Sequence, residues 1–335
     1  MKRINFKELQ SFILKWQEHV LAWPPIKRLI DWSKEKSLPG FFKVPIYDVV
    51  VFLYHETRRY DLFTRSNAIA FSFFLALFPA LMAFFTLIPL FKNYLIAYFP
   101  AGENFDVYLR LEIQRIMPGI AGDRLFSFID DVTNNPRFGL LSFGFFLAMY
   151  FSSNGMLALM RGFEKSYMQT FKKRSGWRKR LVSALLTFQL GILLIAAILL
   201  IILGEWFIHL LNDYLPLDWI TNFSLRLLRW LSIIFLFYTS ISIIYRYGAA
   251  TKKRFTMFSP GATLATILCL LSSLAFSKYV NDFSTYNELY GSIGAIIVLM
   301  LWIQINALII LIGFELNASI AVNRDIKLEK EEEAL

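Results

Sequence analysis

Six stretches of the chain are apolar for long enough to cross a bilayer, and polar residues are largely confined to the segments between them. They run over about 67–91, 138–160, 181–204, 227–247, 259–278 and 291–315. A hydrocarbon core takes roughly 20 mostly apolar residues to cross as a helix, and each stretch meets that length. The residue-by-residue alternation of a membrane barrel strand is absent, and such strands need only about half this length. The pattern predicts an all-α polytopic bundle with six transmembrane helices, occupying 61–320.

The flanking segments carry a different periodicity. Within 1–60, Phe6, Leu9, Phe12, Ile13, Trp16, Val20 and Trp23 recur at helical spacing with Lys7, Lys15, Gln17 and Glu18 off the stripe. This predicts an interfacial amphipathic helix, ended by Trp23-Pro24-Pro25 and resting on the headgroup plane or on a cytoplasmic protein surface. A second short helix, Ile46 to Tyr60, is expected to form an elbow into the first span. The start of the chain shows no secretory signal pattern. Between the first two spans, 93–137 is predicted to form an outer cap of two short amphipathic helices, interrupted by Pro118-Gly119 and Asn134-Asn135-Pro136. The tail, 321–335, is charged, with disorder expected from Glu329 onward.

Charge fixes the expected orientation. Of 35 Lys and Arg, 27 fall in the amino-terminal segment, the second and fourth connections and the tail, and eight in the other three connections. Positive loops stay on the cytoplasmic side, so both termini are expected there. The same segregation explains the net charge of +10. Because the basic residues divide by loop instead of forming one stripe with stacking aromatics, no nucleic acid is expected as a partner. With 56% hydrophobic and 18% charged residues, the composition lies far from that of a soluble domain.

Chemistry-bearing residues are sparse. Cys269 is alone, which excludes an intrachain disulfide and a thiolate cluster. His19, His55 and His209 are dispersed, the acids of the cap lack the spacing of a calcium loop, and there is no G-x-x-x-x-G-K-[ST] phosphate loop. No metal, cofactor or catalytic site is therefore assigned.

The spans do predict a polar layer at the cytoplasmic end. Asn67 begins span one, Ser152, Ser153 and Asn154 lie near the end of span two with Arg161 beyond, and Tyr245 and Arg246 end span four. Ser259 opens span five, and Glu315 and Asn317 close span six, in which Gln304 and Asn306 are further candidates. Gln304, Leu308, Leu311 and Glu315 share one helix face, since steps of four, three and four nearly preserve azimuth. An acid at this depth is costly unless paired, and Arg65, Arg161 and Arg246 are the expected partners. Two roles suit it: a structural ion pair, or a site for a lipid headgroup or ion. Small residues (Ser72, Ala76, Ala80 and Ala83; Ala184, Thr187 and Gly191; Gly291, Gly294 and Ala295) predict close helix contacts. Pro79, Pro89, Pro260 and Gly261 mark expected kinks or packing points.

Asn67-Ala68-Ile69-Ala70-Phe71-Ser72 with Leu77-Phe78-Pro79, then Ser259-Pro260-Gly261-Ala262, then the block from Tyr290 to Asn317 resemble the YihY/virulence factor BrkB family, formerly labelled ribonuclease BN. The resemblance covers about 45–320, and Gly-x-Glu-Leu-Asn at 313–317 belongs to its most specific part. Gln304 and Asn306 depart from the residues usual there. The resemblance implies a multi-pass protein of the bacterial inner membrane that handles or transports a lipid or other amphiphile. The partners it implies are membrane lipids and, on the outer side, envelope lipid-transport proteins. A non-transporting scaffold for envelope machinery is the alternative. Transport predicts a polar path or lateral groove among the spans, and a scaffold predicts tight spans with function in the cap. The ribonuclease label predicts converging metal ligands, and the dispersed histidines offer none.

Overall fold

In the computed structural model, the described residues are 24–59, 61–95, 110, 123, 126–127, 138–214, 219–282 and 284–333. They form α1 (Pro24–Glu35), α2 (Ile46–Arg59), α3 (Leu62–Leu95), α4 (Phe138–Gly162), α5 (Gly176–Tyr214), α6 (Trp219–Ile243), α7 (Pro260–Asp282) and α8 (Ser284–Glu333). No strand occurs among them. Four of these helices, α5 to α8, are long and apolar enough to cross a membrane, and the described side chains of α3 add a shorter apolar stretch, Leu62–Leu77.

Helices α3, α4, α5 and α8 extend beyond the apolar stretches that predict them, whereas α6 ends at Ile243 and passes into a π turn, Ile244–Gly248, before its stretch is complete. Span six, expected over 291–315, lies inside the 50-residue α8, about 75 Å long at 1.5 Å per residue. Its last turns are the charged tail, which is helical to Glu333 and not disordered as expected. Two contacts hold it there: Thr170 Oγ1 donates to Asp325 Oδ2 at 2.8 Å, and Gln169 Nε2 donates to Glu329 Oε1 at 2.7 Å. Helix α3 runs unbroken through Pro79 and Pro89. Its start is capped by Asp61, whose Oδ1 accepts from Phe63 N and Thr64 N, each at 3.1 Å. The Thr64 hydroxyl and then its backbone amide hold the Asp61 carboxyl below the usual carboxylate range.

The prolines at 24 and 25 begin a helix, α1, as proline does readily in a first turn, where its missing N–H removes no bond. The expected helix before them lies outside the described residues, as does most of the 93–137 cap. Within the cap, Arg110 pairs with Asp123 at 3.2 Å. The elbow helix α2 packs on α8, with Val49 and Ile320 in a small core alongside Phe41 and Val44. The loop before α2 turns at Gly40, whose φ of +86° suits glycine and whose Cβ, if present, would stand 2.9 Å from Pro260.

Helix α3 packs on α4 and α8, α4 on α5, and α7 on α8. Among the described residues, the buried ones concentrate at one end: the start of α3 and α7, the end of α4 and α6, and 307–322 of α8. Phe314 is the hub, stacked on Phe163 at 4.3 Å between ring centres and flanked by Phe171 and Phe255 at 6.3 Å. Away from this end the described helix faces are apolar and exposed, as at Leu194, Phe223, Leu228 and Leu274. That distribution suits a lipid solvent, in which apolar exposure costs nothing.

Candidate functional site

The residues that converge at the packed end do so because helix azimuth sorts the 313–317 motif onto two faces. Gly313 and Asn317, four residues apart, share one face of α8, while Glu315, two positions from each, points to roughly the opposite side. The Gly313 face meets α7. A Cβ on Gly261 would lie 2.0 Å from the Gly313 carbonyl oxygen, so the two backbones touch only because both positions are glycine. Asn317 Oδ1 then accepts from Gly261 N at 2.9 Å, and its Nδ2 donates to Ser259 Oγ at 3.0 Å. A helix start that would otherwise bury unpaired donors is thereby satisfied. Tyr245, fully buried, sits in the five-residue π turn Ile244–Gly248 and donates to the Ile310 carbonyl at 2.7 Å, in space that a side chain at 313 would fill.

The opposite face carries a buried charge cluster. Glu315 is fully buried, and Lys165 Nζ lies 2.7 Å from its Oε2 and 2.7 Å from Glu56 Oε2. Tyr167 completes the set, donating to Glu56 Oε1 at 2.8 Å. Glu315 Oε1 has no hydrogen-bond partner among the described residues. Glu315 is thus buried with a cationic partner, Lys165 from the turn after α4, which is not among the arginines expected. Arg65 adds its positive charge near Glu315 and donates to the Gly162 carbonyl at 3.1 Å. Arg246 donates to the Phe255 carbonyl at 2.8 Å, and Arg161 is exposed.

Other expected site residues are placed elsewhere. Asn67 is exposed, and its neighbour Ser66 is the buried one, bonded to the Phe63 carbonyl. Asn154 accepts from Arg180, which also lies over the Tyr150 ring at 4.5 Å. Gln304 is half-buried above Leu308, and Asn306 bonds the Trp302 carbonyl of its own helix. Gly191 packs against nothing, because α5 turns Ser183 and Leu186 inward instead. Gly291 and Gly294 are helical, and their packing lies outside the described residues. Gly155 and Gly162, not singled out by the sequence, admit Phe73 and Leu311 at distances no side chain would allow.

Among the described residues, a lateral groove and a basic cavity open at this end. The groove, of about 820 Å³, runs between α6 and α7, walled by Leu231, Ile234, Phe235, Leu264 and Ile267. It closes on a polar end where the Tyr238 hydroxyl lies 3.4 Å from Thr263 Oγ1, with Ser259 alongside. The second, about 730 Å³, is basic and lies between α3, α4 and the loops before α5 and α7. Among the described residues, no group of three or more His, Cys, Asp or Glu is arranged to hold a metal.

The Virulence factor BrkB family model matches residues 53–335. The putative ribonuclease-like protein YfkH of Bacillus subtilis is 32% identical over 270 residues, covering 80% of this chain and 94% of that one. A UPF0761 membrane protein of Aliivibrio fischeri is 27% identical over 66% of this chain and 67% of its own. Another, from Mannheimia succiniciproducens, is 35% identical over 31% of this chain and 36% of its own. No solved structure matches. A family match over most of the sequence, joined to long apolar helices with a shared packed end, makes this chain a membrane protein of the Virulence factor BrkB family.

Proposed function

We propose that the protein is a six-span component of the bacterial inner membrane that handles a lipid or other amphiphile through the groove between α6 and α7. Under this reading α3 and α4 supply the two spans beyond α5 to α8. The basic, packed end faces the cytoplasm with both termini, as the lysine and arginine count supports.

The observation that carries the reading is the lining of the groove. The groove follows the α7 side from Ser259 to Ile267, about 12 Å at 1.5 Å per residue, and beyond its polar end it is walled by Leu231, Ile234, Phe235, Leu264 and Ile267. Its end offers hydroxyls from Tyr238, Thr263 and Ser259. This is the division an amphiphile presents, with chain in the apolar part and polar head at the rim. The groove faces the bilayer laterally, so an acyl chain enters without crossing water. At Gly261–Gly313 the backbones of α7 and α8 are in contact, so the groove lies on the α6 side of α7 there.

Ile267 is half-exposed on the groove wall, so tryptophan there fills the space without disturbing the core. Ile267→Trp is expected to insert at wild-type abundance and to lose at least fivefold of the phospholipid that copurifies in mild detergent, counted by native mass spectrometry. Leu194→Trp, at an exposed position of α5 that does not line the groove, is expected to keep it. Equal lipid in all three proteins would refute the groove as the site and favour the scaffold reading.

A further inference from the structure

The basic cavity holds an unusual imbalance of charge. Seven cations line it, from α3 (Arg65), the turn after α4 (Lys165), the loop before α5 (Lys172, Lys173, Arg174), the first turn of α5 (Lys179) and the loop before α7 (Lys252), against one carboxylate, Glu164. Glu164 is already engaged, pairing with Lys179 at 2.5 Å. Lys165 is neutralised by the two buried acids, and Arg65 adds its charge to the same group. What is left over is Lys172, Lys173, Arg174 and Lys252, four positive charges with no carboxylate of the cavity to answer them.

The fold keeps these charges together when repulsion would separate them. The two loops form an antiparallel bridge at Phe171 and Thr251: Lys172 N donates to the Ala250 carbonyl at 2.8 Å and Lys252 N to the Thr170 carbonyl at 2.9 Å. Arg174 staples the same loops, donating to the carbonyls of Gly248 and Ala249 at 2.9 Å. Thr170 is tied in turn to Asp325 on α8. Burial, and then the charge of Arg254, lower the affinity of Arg174 for its proton. The loops are thus a preorganised frame, and the backbone fixes the spacing of lysines 172 and 252. Helix α5 begins at this rim with no acid in its first turn, which adds the positive end of its dipole.

We infer that this cavity is a phosphate-binding site that takes a ligand of two to four negative charges, such as a phosphate monoester or diphosphate group. A cleft lined by one sign of charge and walled by protein focuses its field on the interior, which a flat basic surface does not. Lysine ammoniums and a guanidinium give phosphate oxygens charge-assisted hydrogen bonds. The one carboxylate of the wall, Glu164, is paired with Lys179, and the cavity volume suits a small group better than a polymer. The assignment does not depend on the acyl groove, since the two concavities lie on different seams. A phosphate of this kind has two sources, a lipid headgroup or a soluble compound.

The test uses the full-length protein in nanodiscs. In phosphatidylcholine discs, inorganic pyrophosphate is titrated while thermal unfolding and phosphorus NMR line width are followed. In parallel, discs containing one fifth phosphatidic acid are compared with phosphatidylcholine discs at equal salt. A rise in unfolding temperature with pyrophosphate identifies a soluble source, and a rise only with phosphatidic acid identifies a headgroup. The double variant Lys172→Gln/Lys252→Gln, whose side chains are exposed and outside the buried cluster, is expected to weaken whichever response occurs at least tenfold. Lys27→Gln/Lys34→Gln on α1, neither of which lines the cavity, is expected to leave it unchanged. No response in either arm, or a response that both double variants reduce equally, would overturn the site.

Discussion

Replacing Lys165 by methionine is expected to reduce the protein in the membrane to a small fraction of its wild-type level. Two buried carboxylates, Glu56 and Glu315, share this one ammonium, and all three side chains are at most 3% exposed. Removing one partner of a buried pair leaves uncompensated charge in a low dielectric, at a cost of about 3–5 kcal/mol. That is a large share of what most folds have to lose. Taking away Glu315 has a different outcome. Glu315→Gln leaves Lys165 paired one-to-one with Glu56 and keeps the shape of the side chain, so abundance is expected to stay within about twofold of wild type. The triple variant Glu56→Gln/Lys165→Met/Glu315→Gln, which removes every charge of the cluster together, is expected to recover most of the abundance lost by Lys165→Met. Membrane abundance by immunoblot and unfolding temperature in detergent measure all three. Lipid copurification on the Glu315→Gln protein separates the roles of the acid: lipid lost at normal abundance marks a ligand site, and reduced abundance marks a structural ion pair.

An alanine at 261 is expected to be nearly as damaging, although it adds one methyl group. Its Cβ would lie 2.0 Å from the Gly313 carbonyl and 2.6 Å from the Asn317 side chain, and the first of these is backbone that has no rotamer to change. Helices α7 and α8 must then separate. That separation breaks the Asn317 bonds to Gly261 N and Ser259 Oγ as well. Overpacking costs about 1–3 kcal/mol, and losing a buried hydrogen-bond partner adds roughly 1–3 more. Gly191→Ala is the matched control, since a Cβ there meets nothing, and it is expected to unfold at the wild-type temperature or slightly above because alanine favours the helix. Equal unfolding temperatures for the two variants would show that α7 and α8 do not touch as described.

The contrast between these glycines shows what was legible in the sequence. Apolar run length located the long helices, because the requirement it expresses is set by the bilayer and not by neighbouring residues. It could not tell which small residues approach another backbone, since a stripe such as Ala184, Thr187 and Gly191 looks alike whether it faces protein or lipid. Glu315 was legible as inward because an acid at that depth has no affordable alternative. Lys165 was not, because it sits in a turn where sequence offers no periodicity, and its ammonium reaches the acid only through the fold of that turn. Asn67 shows the sensitivity of azimuth: one position is about 100° on a helix, and the buried polar residue is Ser66. The helical tail was missed for a related reason. Its charges read as solvated chain until Thr170 and Gln169, some 155 positions earlier, bring partners to it.

The groove bears the central claim, and its occupancy can be observed directly. A single-particle map of the protein in native-lipid nanodiscs is expected to show elongated density lying against Phe235, Leu264 and Ile267, with its thicker end beside Tyr238 and Thr263. A map in which α6 and α7 close over that volume, or in which the groove holds no lipid while other lipids are ordered around the bundle, would contradict the proposal.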